Sequence, residues 1–587
     1  MKKGFTLIEL LAVIVILAII TLIATPIVLS IIKDSKESAS LRSAEMYLKG
    51  LETSIATSEL NNKNVKDGTY SINNGNICLE YKDNECINEL KVEMTGETPL
   101  GGKVIVIDGE VKDVVLDYKE KAIVKNKDKL VYSYKEAKNI EVPDLYNGTL
   151  TPVIYDGDNW VIVDSKEKWY DYNKQEWANV VILNSDSTKK VGDTLIVDGE
   201  NPDILGMYVW IPRYEYKIEG TYGKSGTSVD SPGEIEINFI NINQVESSEG
   251  YILHPAFSFG ETEISGIWVG KFEIGHATKT SNMNCTDESC EEGNSIRVLP
   301  NKIALRSTTV SSFFYGIRSM SKEGNVFGID SDITDTHMIK NREWGAVAYL
   351  TQSKYGKYGN NDYKDRDKEI YINNSSYFVT GRSGGSYGGN TPINGIYLDQ
   401  TDVTTNYIGQ GFYSYDGYLF EYGTNKKTTR DMKKIASTTG NIYGIYDMSG
   451  GSWEYVMGVF ANSDGVLWTG NSETEYSGFK GKLGEAGIDI DGLPWPDEKY
   501  YDVYKASPGI TVNRLKACNG GICYGHAISE MSGVYGDYSY FVTSNLPWFT
   551  RGGAYYNGSN VGVFNSSNAS GQLNTNGSTH IVFSQNS

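Results

Sequence analysis

The chain has 587 residues, of which 40% are hydrophobic and 22% are charged, and these fractions are ordinary for globular proteins with a sizeable core. At about 100–200 residues per domain, the length allows three or four domains, or one small module and one large one. The formal net charge of −20 argues against nucleic acid as a partner, because phosphate binding needs clustered Lys and Arg. With 63 Gly, 14 Pro and 42 Tyr, the composition favours turns and aromatic-rich strands over helices beyond the first segment.

The N-terminus begins with an apolar segment, residues 5–32, that contains one charge, Glu9. As a helix it would span about 42 Å, enough to cross a bilayer core of about 30 Å. Lys2 and Lys3 precede it, so this end should stay cytoplasmic. A secretory signal peptide or a simple anchor is the alternative. However, the run is longer than a signal-peptide core of about 7–15 residues, and a charge within such a run usually marks function.

Residues 1–32 resemble type IV prepilins in the short basic leader, Gly4 before the cleavage point, Phe5 after it, Glu9 and Pro26. The resemblance implies that prepilin peptidase cuts after Gly4 and N-methylates Phe5. The precursor would lie in the inner (cytoplasmic) membrane through this helix, and the mature chain would join other pilin subunits in an extracellular pilus or at the cell surface. Glu9 would pair with the Phe5 amino group of a neighbouring subunit, since a buried carboxylate needs a partner. Pro26 should kink the helix.

The next 118 residues read as a polar helix half, a small β head and a linker. An apolar stripe with 3,4,3,4 spacing is typical of an amphipathic helix, and two heptads are too few to favour a coiled coil; the stripe consists of Leu41, Ala44, Leu48, Leu51 and Ile55. Strands are predicted at 103–107 and 111–116, around an Asp108-Gly109 turn. We therefore expect a leader at 1–4, a transmembrane and assembly helix at 5–60, a β head at 61–135 and a linker at 136–150.

The six cysteines fall in three close pairs, for which local disulfides are the simplest of fifteen connectivities: Cys78 and Cys86, Cys285 and Cys290, Cys518 and Cys523. Disulfides would indicate an oxidising, extracytoplasmic compartment. Free or reactive thiols are one alternative. Zinc is another, but no histidine has finger-like spacing to any pair.

Residues 151–587 are too many for a pilin head and form a separate, loop-rich α+β pattern, with a buried helix predicted at 341–350. Three segments, 266–273, 441–456 and 551–553, occur in this order with Glu343-Trp344 among them. Together they resemble the formylglycine-generating-enzyme-like branch of the C-type lectin fold. The fold class expected for the whole chain is therefore α+β, with a long N-terminal pilin helix, a small β head and a large C-type-lectin-fold domain.

Structural rather than catalytic roles are expected for the motif residues of this domain: Gly450 and Gly451 as a tight turn, Trp453 as a core anchor and Glu454 as a buried acceptor for backbone or Arg partners. Arg551, Gly552 and Gly553 belong to the same structural motif. The oxidising enzymes of the resembled family use a cysteine pair after the Arg-Gly-Gly segment, and no cysteine follows Cys523. The five histidines lie outside the common hydrolase and metalloprotease motifs. We therefore expect no catalytic residues, no metal, no cofactor and no enzyme activity.

After Arg551 the chain contains no Lys, Arg, Asp or Glu but seven Asn and seven Ser. Apolar anchors recur between the polar clusters, which favours docked strands and loops over a disordered tail. The residue set resembles an antibody paratope, where Tyr gives rigid contact area and Ser and Asn give adaptable hydrogen bonds.

Residues 547–571 look like the variable region of diversity-generating-retroelement target proteins, which implies a variable region at 551–583. By this resemblance the exposed variable positions would be Ala554, Tyr556, Asn557, Ser559, Asn560, Asn565, Ser566, Ser567, Asn568, Ser570, Asn574, Thr575 and Asn576. One anchor of the family pattern is missing, because His580 stands where that pattern has an Arg.

The two ends of the chain together predict a pilus-associated adhesin, a minor or tip pilin, that binds a protein or glycan on a cell or phage surface. A structural pseudopilin of a secretion or DNA-uptake machine and a surface enzyme of the same fold are the alternatives.

Overall fold

The computed structural model describes residues 35–36, 38–61, 65–82, 85–119, 121–136, 140–218, 233–359, 372–373, 377–383, 411–414, 418–421, 427–429, 436–505, 523–528, 530, 534–557 and 560–586. The chain divides into two compact units, Met1–Tyr132 and Ser133–Ser587, called unit 1 and unit 2 below.

Unit 1 packs one helix, α1 (38–60), against an antiparallel sheet. The strands of this sheet are β1 (Gly68–Asn73), β2 (Asn76–Lys82), β3 (Glu85–Leu90), β4 (Gly101–Ile107), β5 (Glu110–Asp117), β6 (Lys121–Asn126) and β7 (Lys129–Tyr134), in the order β3-β2-β1-β4-β5-β6-β7. The predicted apolar stripe faces the sheet: Ala44, Leu51 and Ile55 are buried with the strand residues, and Leu41 and Leu48 pack at the margin of this core.

The β4–β5 hairpin confirms the predicted turn. Asp108 and Gly109 both have positive φ (52° and 74°), and Ile107 pairs with Glu110 across them, as a two-residue type I′ turn requires. Cys78 and Cys86 form a disulfide between β2 and the edge strand β3.

The described residues of unit 2 include two complete α-helices and many short strands. The helices are α2 (Val310–Arg318) and α3 (Asn341–Thr351), the second at the predicted place. Single 3₁₀ turns occur at Tyr146–Gly148, Tyr172–Lys174, Pro255–Phe257, Glu291–Ser295, Ser319–Ser321, Lys357–Gly359 and Glu498–Tyr500. The strands are β8 (Thr151–Tyr155), β9 (Trp160–Ile162), β10 (Asn179–Leu183), β11 (Thr194–Leu195), β12 (Ile204–Pro212), β13 (Tyr214–Ile218), β14 (Ile235–Phe239), β15 (Ile252–Leu253), β16 (Ser258–Phe259), β17 (Thr262–Glu263), β18 (Gly266–Gly270), β19 (Gly275–His276), β20 (Ile296–Arg297), β21 (Thr334–Met338), β22 (Arg382–Ser383), β23 (Gly411–Ser414), β24 (Tyr418–Glu421), β25 (Lys427–Thr429), β26 (Trp453–Ala461), β27 (Trp468–Ser472), β28 (Glu475–Tyr476), β29 (Gly481–Leu483), β30 (Ile488–Ile490), β31 (Asp502–Lys505), β32 (Trp548–Gly552), β33 (Gly562–Ala569), β34 (Gly577–Ser578) and β35 (Ile581–Gln585).

Two sheets organise the C-terminal residues of unit 2. The main sheet has the order β11-β9-β8-β10-β12-β18-β35-β21, so the last strand of the chain lies inside it, between β18 and β21. The second sheet has the order β31-β26-β32-β33, and β34 pairs with β26 in parallel. Strands from distant parts of the sequence therefore meet at the C-terminal segment.

The expected fold class, α+β with a long N-terminal pilin helix, is wrong. The described residues are mostly β-sheet, arranged in eight sheets, and their N-terminal helix is the short α1. Most of unit 2 is built from short strands, because its Gly-, Asn- and aromatic-rich sequence offers few segments with helical periodicity.

The expected linker at 136–150 also needs correction. Residues 140–150 are packed within unit 2: Ile140, Val142 and Tyr146 are buried, and the Asp144 carbonyl accepts a hydrogen bond from Trp268 Nε1 (2.7 Å). The polar sequence of this stretch suggested solvent, but its apolar residues fill the core beside β18.

A buried charge cluster supports β21, the edge strand beside β35. His337 on β21 is clamped between two carboxylates: Nδ1 lies 2.7 Å from Asp335 Oδ1, and Nε2 lies 3.0 Å from Glu343 Oε1. Burial would lower the pKa of His337, but the two carboxylates outweigh it and raise that pKa. Arg318 and Lys340 complete the cluster with ion pairs of 2.6 Å to Asp335 and 3.0 Å to Glu343.

We expect His337→Gln to destabilise unit 2 by about 2–3 kcal/mol at pH 6, because it removes the cation shared by two buried carboxylates and leaves each with one remaining cationic partner, Arg318 or Lys340. The cost should shrink at pH 9. A histidine whose folded pKa is raised contributes stability fully below its ordinary value of about 6.5 and loses it as pH rises through the folded pKa. Urea unfolding followed by tryptophan fluorescence measures this in unit 2 alone, since all 10 Trp follow residue 159.

His276→Gln is the matched control, because burial lowers the pKa of His276 and its cost should not shrink at pH 9. An equal cost of His337→Gln at both pH values would contradict a charged imidazole at this position.

Candidate functional site

The C-terminal segment passes from the second sheet to the main sheet. It forms β32 and β33, crosses to pair as β34 with Trp453 and Glu454 of β26, and ends as β35. The described residues between these strands, 553–557, 560–561 and 570–576, contain many of the positions predicted to vary.

Arg551 anchors the start of this segment inside the protein. Its guanidinium is buried and donates to Asn341 Oδ1 (3.2 Å), His526 O (3.0 Å) and Ala527 O (3.0 Å). Gly552 and Gly553 follow with φ of 76° and 80°, in the left-handed region that favours glycine.

The His580–Glu454 pair anchors the other end. Both side chains are fully buried, and His580 Nδ1 makes a short hydrogen bond with Glu454 Oε2. Burial lowers the pKa of His580 to about 4 and raises that of Glu454 well above its ordinary value. Both shifts favour the uncharged form of the pair, in which the Glu454 carboxyl donates to Nδ1. His580 thus supplies an anchor where the sequence had suggested that one was missing.

Two more buried carboxylates fix the backbone beside Trp453. Glu273 Oε1 accepts from the Ser452 N–H (3.2 Å), and both oxygens of Asp447 accept from the Gly381 N–H (2.8 and 2.9 Å). Burial raises the pKa of both groups, that of Asp447 to about 6. The backbone around 452 and 381 is therefore tied to the interior.

The thirteen positions predicted to be exposed differ in burial. Ala554, Asn565, Ser566 and Ser570 are buried, so they do not contribute to a solvent-facing surface. Asn565 and Ser566 are buried because the segment around residue 539 covers this part of β33. There the backbone of Ser566 exchanges hydrogen bonds with the backbones of Tyr538 and Tyr540. Tyr556 and Thr575 are exposed; six positions are partly exposed, namely Asn557, Asn560, Ser567, Asn568, Asn574 and Asn576. Ser559 lies outside the described residues.

The exposed positions do not form one continuous strip. Asn574 to Asn576 lead into β34, while Ser567 and Asn568 lie on β33, and β26 and β32 separate these two strands. At about 4.8 Å per strand spacing, the two groups are about 14 Å apart. Only the first group adjoins Tyr556, as the following contacts show.

Five aromatic side chains near β34 form a partly exposed surface, called the aromatic platform below: Trp453, Tyr555, Tyr556, Tyr377 and Phe378. Trp453 Nε1 donates to the Tyr556 hydroxyl (3.3 Å), and the Trp453 N–H donates to the Asn576 carbonyl (2.6 Å). Tyr555 packs edge-on against both Tyr556 and Phe378, with ring centroids 5.1 Å apart in each case. Tyr377 is 64% exposed and Tyr556 37%.

Two exposed aliphatic residues lie on segments that adjoin the platform. Ile303 pairs with Val379, next to Phe378, and Leu573 precedes Asn574, whose carbonyl accepts from Ser307 N–H (2.9 Å).

The sequence did not identify the whole platform. Trp453 was expected in the core, but it is only half-buried because the strand that flanks it, β34, has two residues. Tyr377 follows Asn373-Asn374-Ser375-Ser376, the same Asn- and Ser-rich setting as the C-terminal segment, and this signal could have revealed it.

Cys285 and Cys290 form the second disulfide of the described residues. Cys523 is also disulfide-bonded, while Cys518 lies outside the described residues. Gly4, Phe5, Glu9 and Pro26 lie outside them too. In the part of the chain that the structure describes, no helix combines the length and apolar character needed to cross a membrane.

Residues 1–25 match the prokaryotic N-terminal methylation motif. This motif indicates a type IV pilin-like or pseudopilin surface protein, processed by prepilin peptidase and assembled with other pilin subunits. It also indicates a membrane-anchored precursor that moves to a surface pilus. No curated protein matches the chain, and the resemblances to the lectin fold and to retroelement target proteins stay predictions.

The neutral His580–Glu454 pair predicts an unusual pattern of substitution effects. Glu454→Gln should cost less than about 1 kcal/mol, because an amide can still donate to Nδ1. Glu454→Ala should cost about 3 kcal/mol, since it leaves a cavity and an unsatisfied imidazole. Urea unfolding followed by tryptophan fluorescence measures both. Equal, large losses in the two variants would show that the pair is ionic instead.

Proposed function

We propose that the chain is a pilus-associated adhesin, a minor or tip pilin, whose unit 2 binds a ligand on a cell or phage surface through the aromatic platform. The observation that carries the proposal is the exposure of Trp453, Tyr556 and Tyr377 beside uncharged Asn and Thr residues. Binding surfaces favour this chemistry, because Tyr and Trp offer large rigid contact areas at low entropic cost.

The methylation motif supports the display of this surface, since it indicates assembly into a pilus-like structure. The disulfides of both units suit an extracytoplasmic location. On this proposal the platform binds its ligand without transforming it: its rings provide stacking surfaces, and the neighbouring Asn side chains provide hydrogen bonds.

The methylation motif equally suits a structural pseudopilin, in which unit 2 would only space or dock other subunits. The two functions differ in what the platform does. In an adhesin it meets a foreign ligand, and in a pseudopilin its loss would alter assembly.

The test uses cells that display the full chain, with Trp453 and Tyr556 both replaced by Ala. If each ring is a binding hot spot worth about 2 kcal/mol, adhesion should fall by at least about 30-fold while filament number and surface amount stay unchanged. Tyr540→Ala is the matched control, because Tyr540 is 56% exposed and lies beside β33, outside the platform.

Normal adhesion by the double variant would contradict the proposal. Loss of filaments, seen by electron microscopy together with normal levels of folded protein, would support the pseudopilin function instead.

If a retroelement diversifies this chain, variation should follow burial. We expect substitutions at Tyr556, Asn557, Asn574, Thr575 and Asn576 but few at Ala554, Asn565, Ser566 and Ser570, because changes at buried polar positions cost about 1–3 kcal/mol. Deep sequencing of the 3′ end of the gene in a mixed population measures this. Equal variation in both sets, or a uniform low rate across the gene, would contradict this prediction.

A further inference from the structure

The rings of the aromatic platform are held in fixed orientations. The Trp453–Tyr556 hydrogen bond joins two of them, and the edge-on contacts of Tyr555 extend the chain of contacts to Phe378. At the Phe378 end of this chain of contacts, the Arg306 guanidinium carbon lies 3.9 Å from the centroid of the Phe378 ring. A ligand therefore meets preorganised rings and loses little of its binding energy to ordering them.

Within the described residues, the segments around these rings are polar and carry little charge. The segments that form this face are 303–307, 377–378, 451–453, 553–557 and 571–577, and they contain one charged residue, Arg306. Its guanidinium is half-buried, donates to the Thr575 carbonyl and covers Phe378, so it is already engaged. On a chain with a net charge of −20, such a face is unusual and disfavours a ligand that depends on charge.

Amide side chains border the rings. Asn557, Asn574 and Asn576 are partly exposed. The Asn576 amide offers a donor and an acceptor side by side. Asn557 Oδ1 already accepts from the Ala554 N–H and Asn574 Oδ1 from the Asn576 N–H (2.9 Å each), and each of these oxygens has a second lone pair. Neighbouring hydroxyl groups of a sugar present the complementary pair. The C–H bonds on one face of a pyranose are weakly positive and pack on the negative face of an aromatic ring.

A protein ligand fits this face less well. Stable protein interfaces bury about 800 Å² on each partner around an apolar centre, whereas here two or three exposed rings stand among amides. We propose that the aromatic platform binds a neutral glycan, stacked on Trp453 and Tyr556 and hydrogen-bonded by the neighbouring Asn side chains. This inference rests on the proposed function and specifies its ligand class.

The test is an array of neutral, sialylated and sulfated oligosaccharides probed with the purified full chain. We expect binding to neutral members and less than about 2-fold change in affinity between 50 and 500 mM NaCl, because charge–charge attraction, which salt screens, is absent. Tyr556→Ala should weaken binding at least 10-fold, and Tyr540→Ala should not change it.

A second pair of variants separates stacking from folding. Tyr556→Phe keeps the ring but loses the hydroxyl that Trp453 contacts, so binding should fall by no more than about 3-fold. Asn576→Ala keeps the backbone carbonyl that binds Trp453 N–H but removes one amide, and should weaken binding about 3- to 10-fold. Binding restricted to acidic glycans, a steep salt dependence or an unaffected Tyr556→Ala variant would overturn the inference.

Cell adhesion distinguishes this inference from the proposed function. If target cells lose adhesion after periodate treatment but not after protease treatment, the glycan is supported. If adhesion needs Trp453 and Tyr556 but is abolished by protease and no array member binds, the adhesin stands and the glycan does not. If adhesion needs neither residue, both the proposed function and the ligand class are overturned.

Discussion

Unit 2 depends on the insertion of the last strand of the chain into the middle of the main sheet. β35 pairs with β18 on one side, where Trp268 faces Phe583, and with β21 on the other, where His337 faces Val582. These partners are distant in sequence, so the sheet is complete only when the C-terminal residues are in place. The segment before β35 is consequently fixed at both ends, by Arg551 in the second sheet and by β35 in the main sheet.

The buried charges around this strand are stabilised in three different ways. His337 is charged, and two carboxylates compensate it. His580 faces one carboxylate, and burial favours the uncharged pair. Lys271 has three oxygen acceptors within 2.8 Å, from Asn179, Ile442 and Gly444. Each arrangement gives buried polar groups a partner, which lowers a desolvation cost of several kcal/mol, and each joins segments that are distant in sequence.

Local elements could be predicted from the sequence, because their signals are local. The Asp108-Gly109 turn, the stripe along α1 and the helix α3 follow from turn chemistry and from 3.6-residue periodicity. The burial of residues 140–150 and of Asn565 and Ser566 could not be predicted, because it depends on contacts with residues that lie elsewhere in the sequence. Asn565-Ser566-Ser567-Asn568 has no apolar alternation, so its sequence does not show which side is covered.

The candidate site was predicted in part for the same reason. The polar and aromatic composition of the C-terminal segment indicated a binding surface, and Tyr556 and Thr575 are indeed exposed. The sequence could not show that Trp453 and Tyr377 contribute to the aromatic platform. Their positions depend on the pairing of β26 with β34 and on the hydrogen bonds of Asp447 to the 377–383 segment. A Trp that follows a Gly-Gly-Ser sequence is compatible with a core position or a surface position. The residues that pack around it in the fold determine which of the two it occupies.

On the proposed function, the separation of framework from surface would allow the side chains around the platform to change. Arg551, Glu454 and His580 bear the buried contacts, whereas Tyr556, Asn557 and Thr575 contact few core residues. Surface substitutions away from buried networks usually change stability by less than about 0.5 kcal/mol. The side chains that meet a ligand can therefore change without loss of the sheet that positions them, provided that Trp453 keeps its backbone bond to residue 576. On the proposed function, the ring of Trp453 would supply affinity for the ligand, and the replaceable polar side chains beside it would supply selectivity.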